Sequence, residues 1–169
     1  MTKKYAAVLN HKSIGEIHVC WTDEPLIIKA INVNEFFEDA EYSSSDCVKM
    51  RFPDIFELLI NYGEKDVYFP IECLDFSDSS LFYRTVYRKL YEVKVGQRVT
   101  YGELAAMSGS PNACRAVGSA MRKNKHLLAI PCHRVVGKGY LGNFAKGMEL
   151  KKKLLHLERW AVLSEKKTI

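Results

Sequence analysis

In the first third of the chain, apolar residues fall into three short runs, which are typical of β-strands. Turn-forming residues separate three such runs, so we predict an antiparallel meander. The predicted strands are Tyr5–Leu9, Glu16–Trp21 and Leu26–Ile31, joined by turns at Ser13–Gly15 and Thr22–Pro25. The acidic, serine-rich stretch 35–48 predicts a surface loop with room for a helical turn, and helical spacing predicts a helix over about 53–62.

After the polar, turn-forming stretch 75–80, the spacing of apolar residues becomes helical. One apolar face predicts a helix over about 80–92, and another predicts a last helix over 147–160. The change of period from sheet to helix places a domain boundary near 75–80.

Two shorter helices are predicted between these. Thr100 and Glu103 have the spacing of a capping box and open a helix that runs to about Met107. Ser110-Pro111 is typical of an N-cap followed by the first helical residue, and it predicts a second helix over 111–122.

Two short helices joined by a glycine-containing turn are typical of a helix-turn-helix, whose second helix enters a DNA groove. Small residues between basic ones would let that second helix lie close to DNA. The residues that we predict to face DNA are Ala113, Arg115, Ala116, Gly118, Ser119, Arg122 and Lys123. A packed pair of helices without a ligand has the same pattern, so the motif alone leaves both interpretations open.

These elements predict an α/β (α+β) chain of two domains. The N-terminal domain, 1–78, would hold a small three-stranded antiparallel sheet with a helix. The C-terminal domain, 79–169, would be helical and contain the winged-helix-like helix-turn-helix. A chain of 169 residues, 47% apolar and 27% charged, can fold without disulfides or metal.

Charge is distributed unevenly along the chain, whose net charge is +5. Residues 1–80 carry 7 basic and 15 acidic side chains, a net charge of −8, whereas residues 81–169 carry 18 basic and 5 acidic ones, a net charge of +13. A basic half of this kind favours a polyanionic partner such as nucleic acid. Attraction between the two halves is the alternative.

The sequence excludes several classes of protein. No apolar run approaches the roughly 20 residues that span a bilayer, and the N-terminus lacks the apolar core of a signal peptide. We therefore expect an intracellular protein, cytoplasmic or nuclear, with no membrane partner. The five cysteines are widely spaced, so we expect neither a disulfide framework nor a metal site, and we expect no cofactor.

The segment Pro131-Cys132-His133 carries candidate chemistry. A thiol with a pKa near 8.5 needs help to ionise, and a neighbouring imidazole together with Arg134 would favour the thiolate. Glu158, on the last predicted helix, is an acid that would orient the histidine. A buried structural cysteine beside a surface histidine is the alternative for such a dipeptide.

The wider sequence pattern favours a reactive cysteine over a structural one. Its parts are Tyr101-Gly-Glu-Leu-Ala105, Arg115-Ala-Val-Gly118, Asn124, Pro131-Cys-His-Arg-Val-Val136, Leu141-Gly142 and a lysine-rich last helix with Glu158. Over about 81–159 this pattern closely resembles the O6-alkylguanine-DNA alkyltransferases, which repair DNA by a suicide reaction. The first 80 residues resemble the family only in general character.

The resemblance implies a role for each matching residue. Cys132 matches the alkyl acceptor, whose thiolate attacks the alkyl carbon on guanine O6, so that one protein repairs one base. His133 matches the base that draws the thiol proton through a water molecule, and Glu158 matches the acid that orients it. Asn124 matches the residue that organises the turn around the cysteine.

The resemblance also implies how the substrate is held. Tyr101 matches the tyrosine that helps to expel the target nucleotide and contacts the guanine, and Arg115 matches the arginine that replaces the flipped base in the stack. The substrate pocket would be lined by Tyr101, Pro131, Val135, Ala145 and Lys146. The implied partner is double-stranded DNA containing O6-alkylguanine, bound by a monomer.

The chain departs from the family pattern around the pocket. Lys125 and Leu127 stand where prolines are usual, Phe144 where a tyrosine is common, and Lys146 where many members have another residue. A non-enzymatic, damage-sensing protein that binds alkylated DNA is the alternative function. A DNA-binding module without chemistry leaves the Pro-Cys-His-Arg segment unexplained, and a cysteine hydrolase or redox enzyme leaves the basic half unexplained.

Overall fold

The structure is a computed structural model that describes residues 2–63 and 69–165, with side chains as far as Arg159. The chain divides into two compact units. Unit 1 comprises Met1–Asp75 and Lys125–Ala129, and unit 2 comprises Phe76–Asn124 and Ile130–Ile169.

Unit 1 is built on a four-stranded sheet. Its strands are β1 (Tyr5–His11), β2 (Gly15–Asp23), β3 (Leu26–Val33) and β4 (Glu41–Tyr42), in the order β3-β2-β1-β4. The first three form the predicted antiparallel meander, with Ala6 opposite Cys20 and Val19 opposite Ile31. The fourth strand pairs in parallel with β1. The prediction of a three-stranded sheet is corrected here, because a strand of two residues is too short to show an alternating pattern.

Two helices follow the sheet in unit 1, α1 (Ser45–Arg51) and α2 (Pro53–Ile60). The second confirms the helix predicted from apolar spacing and buries Ile55 and Leu59. The first corrects the predicted surface loop from residue 45 onward, since one apolar residue of α1, Val48, is buried and gives no detectable period.

The segment Lys125–Ala129, called here the inserted segment, lies along β3, which is an edge strand of unit 1. Ile31 N donates to Lys125 O at 2.8 Å, and Leu127 N donates to Ile31 O at 3.0 Å. Ile31 and His126 form a parallel bridge. Residues from the second half of the chain therefore complete the edge of the N-terminal sheet.

Unit 2 is mainly helical. Its elements are α3 (Leu81–Tyr91), β5 (Val99–Thr100), α4 (Tyr101–Met107), α5 (Cys114–Arg122), β6 (Val135–Val136) and α6 (Met148–Glu165). The strands β5 and β6 pair in parallel. The core of the unit includes Val86, Leu90, Leu104, Val117 and Leu154, all fully buried. The mixed α/β fold class predicted from the sequence is confirmed.

The N-terminus of α4 has the predicted capping box. Glu103 N donates to Thr100 Oγ1 at 3.2 Å, and Thr100 N donates to Glu103 Oε2 at 2.7 Å. These two bonds satisfy backbone donors that the first helical turn leaves unpaired, and they fix the position of Tyr101 as the first helical residue.

The start of α5 corrects a prediction. The helix begins at Cys114, with Ala113 as a cap that makes no side-chain hydrogen bond, and not at Pro111 after Ser110. Residues 110–113 instead form a turn closed by the bond from Ala113 N to Ser110 O at 2.9 Å. The predicted end at Arg122 is confirmed.

The cysteines and the helices add two observations. All five cysteines are free thiols, of which Cys20 and Cys132 are buried and Cys114 is exposed. None of the described helices is both long enough and apolar enough to cross a membrane.

Candidate active site

Cys132 opens a short 3-10 turn, Cys132–Arg134, that follows Pro131. Its side chain is only 6% exposed. Asn124 Nδ2 donates to Cys132 Sγ at 3.2 Å and to Ile130 O at 2.9 Å. Asn124 therefore ties the thiol to the backbone that leads into the turn.

His133 and Glu158 meet inside unit 2. His133 Nε2 lies 2.7 Å from Glu158 Oε1, and both side chains are buried. The sequence places these residues 25 positions apart, and α6 brings the carboxylate to the 3-10 turn. The histidine and the acid that orients it, predicted from the resemblance, are thus in contact.

Arg134 holds the same carboxylate from another side. Its Nε and Nη2 donate to Glu158 Oε1 at 3.0 and 2.8 Å, and its Nη1 donates to Val93 O. Gly96 N also donates to Glu158 Oε2, at 3.4 Å. Several donors therefore fix Glu158 before any substrate binds. Arg134 binds the carboxylate of Glu158 and not the thiol of Cys132.

Burial sets the protonation of the thiol and the imidazole. Burial raises the pKa of Cys132, while the hydrogen bond from Asn124 and the charge of Lys151 lower it in part. Burial lowers the pKa of His133, and the nearby Glu158 carboxylate opposes this. The resting site therefore holds a neutral thiol and a neutral imidazole that is able to accept a proton.

Glu158 remains ionised. Burial by itself would raise its pKa, but His133 and Arg134 hold the pKa of this carboxyl well below its usual range. An ionised acid bound to Nε2 stabilises the histidine in its protonated form once it has taken up a proton.

Lys151 is a site residue that sequence reasoning missed. It is fully buried on α6, and its Nζ donates to Val135 O at 2.6 Å and to Asn143 O at 3.4 Å. Burial lowers its pKa to about 8, and a negative charge on Cys132 would oppose this shift. Lys151 precedes Leu154, Leu155 and Glu158 at helical spacing. This spacing puts it on the buried face of the helix and could have identified it from the sequence.

Tyr101 packs against the loop that follows β6. Its hydroxyl donates to Asn143 O at 3.3 Å. A Cβ on Gly142 would lie 3.1 Å from the Tyr101 ring, so the backbone of this loop approaches the tyrosine closely. Gly142 has a φ of +71°, which favours glycine at this position. Burial raises the pKa of Tyr101, and neighbouring Tyr140 and Cys132 add to this effect.

The residues predicted to face DNA lie on α5 and at its two caps. The helix buries Val117, Ala120 and Met121. On its other sides, Arg115, Arg122 and Lys123 are exposed, while Ala113, Ala116, Gly118 and Ser119 are half-buried. Arg122 donates to Ser119 Oγ at 3.3 Å, and Lys123 Nζ lies 5.6 Å from the centre of the Tyr83 ring. The basic groups are therefore available on the surface of the helix-turn-helix.

The predicted pocket residues differ in their placement. Pro131 and Val135 are buried beside the cysteine turn, whereas Ala145 is exposed and Lys146 is half-buried in the turn before α6. Phe144 lies near Lys151, whose Nζ is 5.9 Å from the ring centre. Among residues 2–63 and 69–165, no group of three or more histidine, cysteine or acidic side chains is arranged to hold a metal.

Comparison with protein families adds to this geometry. Residues 81–160 match the family described as "6-O-methylguanine DNA methyltransferase, DNA binding domain". A methylated-DNA--protein-cysteine methyltransferase of Metallosphaera sedula is 46% identical over 151 residues, covering 85% of this chain and 86% of that protein. The protein of the same name from Sulfurisphaera tokodaii is 42% identical over 125 residues, covering 73% of this chain and 77% of that protein.

Solved structures of proteins with related names are similar to this chain over most of its length. Mycobacterium tuberculosis OGT, crystallised in complex with DNA, is similar with a TM-score of 0.77 and 26% identity, covering 93% of this chain and 94% of that chain. An O6-methylguanine-DNA methyltransferase from Pyrococcus kodakaraensis is similar with a TM-score of 0.69 and 26% identity, covering 90% of this chain and 98% of that chain.

Proposed function

This chain belongs to the methylated-DNA--protein-cysteine methyltransferase family and is a DNA-repair alkyltransferase, and from that premise we propose a suicide reaction at Cys132. In this reaction the protein moves an alkyl group from O6 of guanine in double-stranded DNA onto its own thiol. Each protein molecule acts once.

One observation carries the proposal. A buried histidine, His133, is bound to an ionised buried acid, Glu158, directly beside a buried cysteine in the sequence and in the same 3-10 turn. A structural cysteine needs no such base, whereas a thiol nucleophile with a raised pKa does.

The proposed step moves one proton and one alkyl group. Because Nε2 of His133 is bound to Glu158, Nδ1 accepts the Cys132 proton through a water molecule. The thiolate then forms a bond to the alkyl carbon as the bond from that carbon to O6 breaks, and the electron pair stays on the guanine. The imidazolium returns its proton to the guanine, so the products are guanine and a thioether on Cys132.

The substrate guanine must leave the duplex to reach this thiol. A target atom inside a base pair is inaccessible to a protein side chain, and extrusion costs a few kcal/mol, least for a mispaired or damaged base. Arg115, exposed on α5, would fill the space left by the base, while Tyr101 would contact the guanine. Pro131, Val135, Ala145 and Lys146 would line the pocket.

The other α5 residues would contact the DNA backbone without reading its sequence, which suits repair of lesions in any context. These residues are Ala113, Ala116, Gly118, Ser119, Arg122 and Lys123. Every group named in the reaction comes from one chain, so we propose that a monomer is sufficient. We propose an intracellular site of action, where genomic DNA is found.

The test is mass spectrometry of the intact protein and its peptides after mixing with a duplex that contains one O6-methylguanine. We expect a gain of one methylene mass, confined to the Cys132 peptide and saturating at one per protein. Cys132→Ser should gain nothing. Cys114→Ser, which alters an exposed cysteine, should behave as the wild type does.

One result would contradict the proposal. If the duplex bound and no mass were gained, the protein would be a damage-sensing binder of alkylated DNA. The Cys132, His133 and Glu158 cluster would then describe an inactive site.

A further inference from the structure

The loop after β6 contains a tight hairpin that the proposed reaction does not use. Gly137 N donates to Tyr140 O at 3.0 Å, and these two residues form an antiparallel bridge. Gly139, near the tip of the hairpin, has a φ of +81°. The backbone of Tyr140 is therefore fixed four residues after β6 ends.

The side chain of Tyr140 folds back over the hairpin. A Cβ on residue 137 would overlap the Tyr140 ring, so only glycine at position 137 allows the ring to lie where it does. Gly137 is buried, yet Tyr140 is 66% exposed. One side of the ring thus rests on backbone and the rest of it faces solvent.

The ring lies close to the reacting groups of unit 2. A Cβ on Gly142, two residues further on, would lie 3.1 Å from the backbone nitrogen of Gly137 and 3.1 Å from the Tyr101 ring. Gly137, on which the Tyr140 ring rests, therefore lies close to Tyr101, the residue proposed to contact the guanine. The exposed ring is therefore held near the residue that the proposed reaction places against the extruded guanine.

We propose that the open face of Tyr140 is a stacking surface for the purine ring of the extruded guanine, which makes Tyr140 a residue for substrate binding. The inference rests on the proposed function, since it requires a base outside the duplex. Exposed aromatic rings bind nucleobases by stacking without regard to their sequence. The ring needs no rearrangement to do so, because Gly137 and the hairpin already hold it in place.

The experiment compares four proteins: the wild type, Tyr140→Phe, Tyr140→Leu and Tyr140→Ala. Single-turnover methyl transfer is measured over a range of protein concentrations with a duplex containing O6-methylguanine. The dissociation constant for the same duplex without the lesion is measured in parallel. Lys138→Ala, an exposed neighbour in the same hairpin, is the matched control.

We expect the rate at low protein concentration to fall about tenfold in Tyr140→Ala and Tyr140→Leu, and to stay within about twofold of the wild type in Tyr140→Phe, which keeps the aromatic face. Affinity for the undamaged duplex should not change, because no base is extruded from it. Melting temperatures should match that of the wild type, since the side chain is exposed.

Three outcomes distinguish a failure of the proposed function from a failure of the stacking inference. A wild type that transfers no methyl group overturns the proposed function itself. An active wild type with Tyr140→Ala at the same rate overturns the stacking inference alone. Weaker binding of the undamaged duplex by Tyr140→Ala also overturns it, because Tyr140 would then contact the duplex and not the extruded base.

Discussion

At the scale of single residues, burial governs the reactivity of the site. Burial makes both ionised forms unfavourable, so Cys132 rests as a thiol and His133 as a neutral imidazole. A permanently ionised cysteine would react with other electrophiles in the cell. In the proposed reaction, proton transfer to a histidine already held by Glu158 would confine the reactivity of the thiol to a bound alkyl group.

The first prediction concerns pH. Because the pKa of His133 is lowered by burial, the neutral base persists to more acidic pH than an ordinary histidine with a pKa near 6.5. The rate of methyl transfer should therefore fall only below that pH. Folding stability should also fall from about pH 6.5 downward, because the unfolded chain takes up the proton first.

Single-turnover rates between pH 5 and pH 9 test this, with melting temperatures over the same range. A loss of rate centred at or above the ordinary histidine pKa would contradict it.

The second prediction concerns Lys151, whose charge lowers the pKa of the Cys132 thiol. Lys151→Met should slow methyl transfer about tenfold at neutral pH, because opposite charges nearby shift such groups by about one to three pKa units. It should also lower stability by about 1–3 kcal/mol, since Val135 O loses its donor.

The pH dependence of the rate distinguishes an effect of the Lys151 charge from an effect of its packing. Lys151 has a pKa of about 8, so the difference in rate between wild type and variant should shrink above that pH. Lys152→Met, an exposed neighbour paired with Glu149, should match the wild type. A difference independent of pH would mean that Lys151 is only structural.

At the scale of elements, local signals predicted most of unit 2. Residues close together in the sequence carry these signals: the capping box at Thr100 and Glu103, and the apolar faces of α3 and α6. The start of α5 was missed, because Ser110-Pro111 is equally suited to the turn that residues 110–113 form. Lys151 was missed because long charged side chains are ordinarily exposed.

The third prediction concerns the inserted segment, where Leu127 replaces a proline that is common in the family. Leu127 N donates to Ile31 O at 3.0 Å. Leu127→Pro removes this donor and should destabilise the protein by about 1–3 kcal/mol, because the buried carbonyl loses its partner. Proline could not make this hydrogen bond, because it has no backbone N–H.

Leu127→Val is the matched control, since it keeps the backbone donor and most of the apolar side chain. Denaturant unfolding of both variants provides the comparison. Equal stabilities for Leu127→Pro and Leu127→Val would show that the hydrogen bond contributes nothing.

At the scale of the whole molecule, sequence reasoning was least complete. The division into 1–78 and 79–169 stays a prediction, while the compact units of the structure assign Lys125–Ala129 to the N-terminal unit. Ile31 and His126 are far apart in sequence, so no local pattern predicts their pairing. The chemistry around Cys132 was found through the family resemblance, since a Cys-His dipeptide alone favours a structural role.

The fourth prediction concerns the protein after reaction. A methyl group on Cys132 Sγ must be accommodated beside Asn124 Nδ2, 3.2 Å away, in a site that is 6% exposed. Overpacking of this kind costs about 1–3 kcal/mol, which corresponds to a decrease in Tm of about 2–12 °C for a chain of this size.

Calorimetry before and after reaction with one equivalent of methylated duplex measures the change, once the DNA has been removed. Cys132→Ser treated in the same way controls for effects of the duplex. An unchanged melting temperature for the fully methylated protein would contradict the prediction.

The pairing of β3 with the inserted segment also has a consequence for the nascent chain. Residue 126 is synthesised 95 positions after Ile31, so at about 5–20 residues per second the edge of β3 at Ile31 stays uncovered on the ribosome for about 5–20 s. An uncovered strand edge is a template for pairing with another chain. Any transcript truncated before residue 125 would release a protein whose sheet never loses that exposed edge.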